Sequence, residues 1–207
     1  MARKPLTKPR KHASQGRSRV TVDALIEATA RILVRDGFDK ASTNRIAERA
    51  GVSVGSLYQY FPGKEALVSA VMERHSQEVM QVVRGALAEA AALPMEQAVR
   101  TLVAASIEAH RIDPQLHRVL SEQTSRTGRL ENTALLNGET YALFRTFLEA
   151  HHDEFRALDL ELAAFVCVTT IEALTHTAVV HHSESLSDEA FAALVDEATR
   201  LIVRYLQ

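Results

Sequence analysis

Apolar residues recur at intervals of three and four over most of the chain, which is the spacing of one buried face of an α-helix. The first such segment covers 20–35, and Asp36-Gly37 is expected to end it because glycine suits the left-handed C-terminal position. The last covers 188–206, and no segment alternates in the manner of a β-strand. The pattern therefore predicts an all-α protein.

Between 42 and 64 the pattern indicates two short helices separated by a glycine. Ser42 is suited to cap the first helix, Gly51 to end it, and Ser53 to cap the second. Helices of about two turns are not stable alone, so the 20–35 helix is expected to cover their apolar side. Such a three-helix unit is a helix-turn-helix, in which one helix crosses the DNA backbone and the next enters the major groove.

The residues on the other face of this unit suit DNA chemically. Tyr58 and Tyr60 can reach phosphates with rigid side chains, and Gly55 lets the helix approach the bases closely. Lys64 lies at the start of the following helix, where its charge and the backbone N–H groups attract phosphate. Two tyrosines on an ordinary exposed helix are the alternative, but spacing, caps and core positions all agree with DNA binding. The candidate DNA-binding residues are Thr43, Ser53, Val54, Gly55, Ser56, Tyr58, Gln59, Tyr60 and Lys64.

The sequence STNRIAERAGVSVGSLYQYFPGKEAL, residues 42–67, resembles the signature of tetracycline-repressor (TetR) type regulators, and the match extends back over 23–38. This resemblance implies an N-terminal three-helix DNA-binding domain and a C-terminal helical domain for ligand binding and dimerisation, with about nine helices in all. It also implies a homodimer on a near-palindromic double-stranded operator and a small-molecule inducer. Val54 and Gln59 match positions that vary in the family and touch bases, which makes them candidate specificity determinants.

The chain begins with a basic segment, because residues 1–19 contain seven Lys and Arg and no Asp or Glu. Such a segment is a solubilising disordered extension, an arm that contacts DNA, or a mitochondrial-type presequence, which the lack of an apolar face disfavours. Next to a groove-binding domain, an arm in the minor groove becomes the favoured interpretation. The predicted organisation is a basic disordered arm over 1–19, a DNA-binding domain over 20–80 and a ligand-binding and dimerisation domain over 81–207.

No comparably specific motif follows residue 80. Glu172 is a carboxylate midway along an otherwise uncharged helix, where it pairs with His176 one turn on, pairs with an arginine across a dimer interface, or recognises a ligand. Polar and aromatic residues assigned to inward faces form a candidate pocket, although plain core packing is the expected role of most of them. The candidate ligand-binding residues are His75, Val103, Ile107, His110, Leu120, Gln123, Tyr141, Phe144, Phe165, Glu172 and His176.

The nine histidines raise the question of a metal site. The adjacent pairs at 151–152 and 181–182 point in different directions and lie near predicted helix ends, so capping or surface roles are expected, and neither a metal nor a cofactor is predicted. No nucleophile elbow, phosphate loop, HExxH or CxxC occurs, so the chain is not expected to be an enzyme.

The sequence also predicts the cellular compartment of the protein. Cys167 is the only cysteine, which excludes an intramolecular disulfide and indicates a reducing compartment. No secretory signal is evident, and 162–180 contains too many polar groups to be a membrane helix. A cytoplasmic protein without membrane contact is expected.

Three functional hypotheses follow. The leading one is a dimeric repressor that a small-molecule inducer releases from its operator. The second is a DNA-binding dimer without a small ligand, acting as an architectural or protein-partnered regulator. The third is a helical enzyme that carries the motif, for which the sequence names no catalytic group.

Overall fold

The computed structural model describes the fold of residues 16–127, 131–156, 159–182 and 187–207, without the side chains at 16–17, 123–127, 131–137 and 181–182. Over these ranges the chain forms nine α-helices, one short 3₁₀ turn at His152–Glu154 and no strand, which confirms the all-α prediction. The helices are α1 Gly16–Lys40, α2 Thr43–Ala50, α3 Val54–Tyr60, α4 Lys64–Ala90, α5 Met95–Arg111, α6 Pro114–Thr127, α7 Glu131–Ala150, α8 Leu160–His182 and α9 Asp188–Leu206.

The first helix differs from its predicted bounds at both ends. It begins at Gly16, so the last residues of the predicted arm are helical, whereas residues 1–15 lie outside the described part. At Gly37 the backbone leaves the helix with φ 76° and ψ 172°, and one further turn follows, closed by the Ala41 N–H donating to the Phe38 carbonyl at 3.1 Å. The break is where the sequence placed it, but glycine permits a kink here rather than an end.

Contacts between the described residues divide them into two compact units, one within 1–75 and 118–128 and the other within 76–117 and 129–207. In the first unit α1, α2 and α3 share a core in which Leu33, Ile46 and Leu57 are fully buried. Since α2 has eight residues and α3 seven, this packing and not helix propensity stabilises them.

In the second unit α8 packs against α5, α7 and α9, and α5 also packs against α9. The core contains Val103, Leu148 and Ile202, all buried. Burial raises the pKa of the Cys167 thiol to about 12, so this side chain is a protonated, inert part of the core. Helix α7 continues through Gly138, since one glycine costs a helix only about 1 kcal/mol relative to alanine.

Among the described residues one helix, α8, is long and apolar enough over Leu160–Val180 to cross a membrane by length and composition alone. Half of its apolar window is buried inside the protein. A single helix of this kind is weak evidence for a membrane span, because core helices pass the same test.

Candidate nucleic-acid interface

Local hydrogen bonds at the turn set where α2 ends and α3 begins. The Ser42 hydroxyl accepts from the Arg45 N–H at 3.4 Å and caps α2, as the sequence predicts. Gly51 adopts φ 68° and ψ 28°, the left-handed conformation, and ends the helix. The Ser53 hydroxyl then accepts from the Ser56 N–H at 3.0 Å and caps α3. Each helix end is therefore fixed by a residue suited to that position.

The two faces of α3 differ in their exposure to solvent. Leu57 and, at its C-terminal end, Phe61 are buried at 0% and 1% exposure. On the other face Val54 is 36% and Tyr58 41% exposed, and Gln59 is also exposed. Val54, Tyr58 and Gln59, three of the residues assigned to DNA contact, thus lie on the solvent side of a helix whose opposite face packs in the core.

Two hydroxyl pairs lie on this surface. Thr43 Oγ1 at the start of α2 is 3.2 Å from Tyr58 Oη on α3, and Ser53 Oγ is 2.8 Å from Ser56 Oγ. A hydroxyl has one hydrogen to donate, so a pair uses one hydrogen and leaves the other for an outside acceptor. Each pair can therefore still donate to a phosphate oxygen or a base edge.

Two contacts within the first unit position the Lys64 side chain. Its Nζ donates to the Phe38 carbonyl at 3.2 Å and lies 4.0 Å from the centroid of the Phe38 ring. An ammonium group has three hydrogens, so the carbonyl leaves others for phosphate. Lys64 thus joins the start of α4 to the end of α1, in addition to the predicted phosphate contact.

Arg45 is a positioning residue that sequence reasoning missed. Its guanidinium donates to Asp36 Oδ2 at 2.8 Å and to the Lys40 carbonyl at 2.8 Å, which clamps α2 onto the end of α1. Hydrogen bonds from Arg35 and then Arg45 hold the pKa of the Asp36 carboxyl below its usual value. The only sequence signal was an arginine where a capping box would have glutamate.

Gly55 has no internal reason to be glycine. Among the atoms that the structure describes, a Cβ added there would meet only Ser53 Oγ, at 3.8 Å, an ordinary van der Waals distance, and the backbone φ is not positive. The missing side chain therefore leaves space on the exposed side of α3, where a partner would approach.

The candidate pocket residues are divided between the two units. His75, Leu120 and Gln123 belong to the first unit, and the Gln123 side chain lies outside the described part. Val103, Ile107 and Phe144 are buried within the core of the second unit.

Phe165 is 54% exposed on α8, so its assignment to an inward face is wrong. Tyr141 is half-buried, with its hydroxyl 3.1 Å from Thr169 Oγ1. A cleft of about 440 Å³ lies between α5 and α9, and none of the candidate pocket residues lines it. Its lining residues are Glu96, Gln97, Arg100, Asp196, Thr199 and Arg200.

The structure does bring two candidates together. The rings of His110 and His176 have centroids 5.5 Å apart, and His117 completes a triangle with them. Sequence reasoning missed His117, because α8 meets the consecutive helices α5 and α6 there only through tertiary packing. Glu172 lies one turn before His176, and burial raises the pKa of its carboxyl.

The adjacent histidine pairs behave as helix-end residues where they are described. Nδ1 of His151 lies 2.9 Å from the Phe147 carbonyl, and Nδ1 of His152 lies 3.1 Å from the Glu149 carbonyl. Both are thus engaged with the end of α7, as capping roles require. The side chains at 181–182 lie outside the described residues.

Two family profiles match the sequence. One, described as bacterial regulatory proteins of the tetR family, matches residues 25–71 and contains the whole of α2 and α3. The other, described as a tetracyclin repressor-like C-terminal domain, matches residues 94–206, more than half of the chain.

Individual proteins agree with these profiles. The nucleoid occlusion factor SlmA of Haemophilus ducreyi is 28% identical over 117 residues, covering 56% of this chain and 55% of that protein. The transcriptional activator FasR of Mycolicibacterium smegmatis is 35% identical over 98 residues, covering 47% and 44%. The chain thus spans about half the length of the curated relatives it matches.

Solved structures share the fold over nearly the full length. The fatty acid degradation regulator FadR of Bacillus halodurans superposes with a TM-score of 0.70 at 22% identity, covering 88% of this chain and 94% of that one. A TetR-family regulator from Mesorhizobium loti gives a TM-score of 0.75 at 19% identity, covering 92% and 98%. At these identities the likeness is one of fold.

Proposed function

The chain belongs to the TetR family of bacterial regulatory proteins, and from this premise we propose that it is a dimeric, sequence-specific regulator of transcription in the cytoplasm. The observation that carries the proposal is the asymmetry of α3, which is buried on one face and presents hydroxyls, an amide and a glycine on the other. A helix held in this way fits the major groove.

The residues divide by chemistry. Thr43, Tyr58, Tyr60 and Lys64 contact phosphates, because hydroxyls and an ammonium group donate to phosphate oxygens in any sequence. Residues that reach base edges determine the sequence preference, and Val54 offers methyl groups to thymine. The residues assigned to base contact are Ser53, Val54, Gly55, Ser56 and Gln59.

Dimerisation is supported by exposed apolar side chains on the last two helices. Leu162 and Phe165 on α8 are 57% and 54% exposed, and Leu201 on α9 is 51% exposed. Two copies that pair through these helices place two copies of α3 about 34–36 Å apart, or somewhat further, which calls for a near-palindromic operator.

Control by a small-molecule inducer completes the leading proposal. Binding in the second unit shifts the dimer toward an arrangement that no longer fits the operator, which releases a repressor. The half-buried Glu172, whose carboxyl pKa burial raises, supports a recognition role in that unit.

Selection of bound sequences from random DNA with the purified full-length chain tests DNA recognition. We expect enrichment of a near-palindromic motif. Val54→Glu should abolish enrichment, since a carboxylate at the start of α3 repels phosphate while the helix dipole tolerates it. Gln115→Glu, at the start of α6, is the matched charge control and should enrich the wild-type motif. Failure of the wild type to enrich any motif contradicts the proposal.

Ligand-independent action is the second candidate, favoured by the similarity to a nucleoid occlusion factor. The chain would then act through DNA and a protein partner. Thermal unfolding with operator DNA separates the two functions, because only an inducer should oppose the stabilisation that DNA provides.

A further inference from the structure

Three imidazole rings meet where α5 ends, α6 begins and α8 passes. The ring centroids of His110 and His117 are 4.8 Å apart, those of His117 and His176 5.1 Å, and those of His110 and His176 5.5 Å. The interplanar angles are 73°, 62° and 84°, so the rings meet edge to face. All three residues belong to the second unit.

His110 is oriented by the backbone. Its Nδ1 lies 2.6 Å from the Ser106 carbonyl, and because a carbonyl can only accept, Nδ1 carries the hydrogen. In the neutral ring Nε2 is then the nitrogen with the lone pair. A histidine whose other nitrogen donates to a backbone carbonyl is the usual form of a metal-ligating histidine.

The helices that carry the rings are also tied together. Ser106 Oγ on α5 is 2.8 Å from Thr175 Oγ1 on α8, next to His176 in the sequence. Thr175 also donates to the Ile171 carbonyl at 2.8 Å, which fixes its rotamer. The spacing between His110 and His176 is thus set by bonded neighbours.

The triangle has the dimensions of three histidines around one ion. A Zn–N distance of about 2.0–2.1 Å, plus about 1.1 Å from nitrogen to ring centre, gives centres about 5 Å apart in a tetrahedral site. The observed separations of 4.8, 5.1 and 5.5 Å bracket that value.

Among the described residues no three His, Cys, Asp or Glu side chains are already arranged to hold a metal ion. The rings of His117 and His176 must therefore turn on binding, while that of His110 keeps its hydrogen bond to the Ser106 carbonyl. The Cβ–Cγ axis of histidine passes through the ring centre, so rotation about this soft torsion redirects the nitrogens while the centroids stay in place. Such a rotation therefore leaves the three distances between the ring centroids unchanged.

From this geometry we infer that His110, His117 and His176 bind one divalent transition-metal ion of the zinc class. Imidazole nitrogens suit zinc, copper and nickel, and three protein ligands leave a fourth position for water or another ligand. Sequence reasoning expected no metal because it considered only adjacent histidine pairs. The site goes beyond the proposed DNA function, and both of its tests are made without DNA.

Cobalt(II) titration of the tag-free full-length chain, stripped with a chelator and dialysed, tests the site. We expect the visible bands of a four-coordinate cobalt ion, saturating at one ion per chain and bleached by zinc. His117→Gln and His176→Gln should each weaken binding at least tenfold, because each removes a ligand. His152→Gln, an exposed histidine in the same unit, is the matched control and should bind as the wild type does.

Thermal unfolding supplies the second readout, since a ligand bound only to the folded state raises the melting temperature. Zinc should raise the melting temperature of the wild type and of His152→Gln but not that of His117→Gln, and the metal-free melting curves show that each variant folds. Wild-type protein without cobalt bands, or binding that persists in both His117→Gln and His176→Gln, overturns the inference.

Discussion

Gly55→Ala is the sharpest test of how closely α3 approaches DNA. Within the described part of the chain the new methyl group meets only Ser53 Oγ at 3.8 Å, so it fits without displacement. Alanine also favours helix over glycine by up to about 1 kcal/mol. Atoms of α3 and of the DNA that are in contact lie about 3.5–4.0 Å apart, so a methyl group added between them moves the helix away from the groove. We expect unchanged or slightly higher stability together with at least tenfold weaker operator binding, or about 1.4 kcal/mol.

Fluorescence anisotropy with the selected operator at one fixed salt concentration measures the affinity, and thermal unfolding measures the stability. Gly85→Ala is the matched control, because an added Cβ at Gly85 in α4 has no neighbour within 4 Å among the atoms the structure describes. It should gain the same helix propensity and bind DNA as the wild type does.

Wild-type affinity of Gly55→Ala for the operator would show that the helix does not approach the groove at this point. A loss of stability in Gly55→Ala would show that the methyl group clashes within the chain, which contradicts the expected fit.

Three further outcomes are expected. Deletion of residues 1–15, which leaves α1 intact from Gly16, should weaken operator binding. The slope of log affinity against log salt concentration should fall in magnitude by about 0.9 for each phosphate that the arm neutralises, and an unchanged slope excludes contact between the arm and DNA. Phe165→Glu should convert the dimer to a monomer in sedimentation, whereas Thr146→Glu, exposed on α7, should not; an equally dimeric Phe165→Glu excludes this face. Glu172→Gln, in chelator, should raise the melting temperature at about pH 7 and not at about pH 3. Burial raises the pKa of Glu172 in the folded chain, so as the pH rises its carboxyl ionises first in the unfolded chain. The free energy of unfolding therefore falls between the unfolded and the folded pKa of this carboxyl, and it stays at the lower value at higher pH. Equal effects at both pH values would contradict this.

The bounds of α2 and α3 could be predicted from the sequence because each end has a local signal. Ser42, Gly51 and Ser53 act within a few residues of themselves, through a cap or a positive φ, and the structure uses all three. Such signals need no knowledge of the rest of the fold.

Features made by tertiary packing could not be predicted in this way. His117 joins His110 and His176 only because α5, α6 and α8 meet. Arg45 reaches Asp36 across a kink in α1 whose form depends on the ψ angle of Gly37. These contacts have no periodic pattern along the chain.

The hydroxyl pair between Thr43 and Tyr58 has a consequence for the cost of binding DNA. The two side chains come from different helices and are already 3.2 Å apart in the free chain. Their rotamer freedom is therefore lost when the protein folds and not when it meets the operator. Immobilising a side chain on association costs about 0.5–1.5 kcal/mol, so a surface that is ordered beforehand keeps more of its interaction energy as affinity.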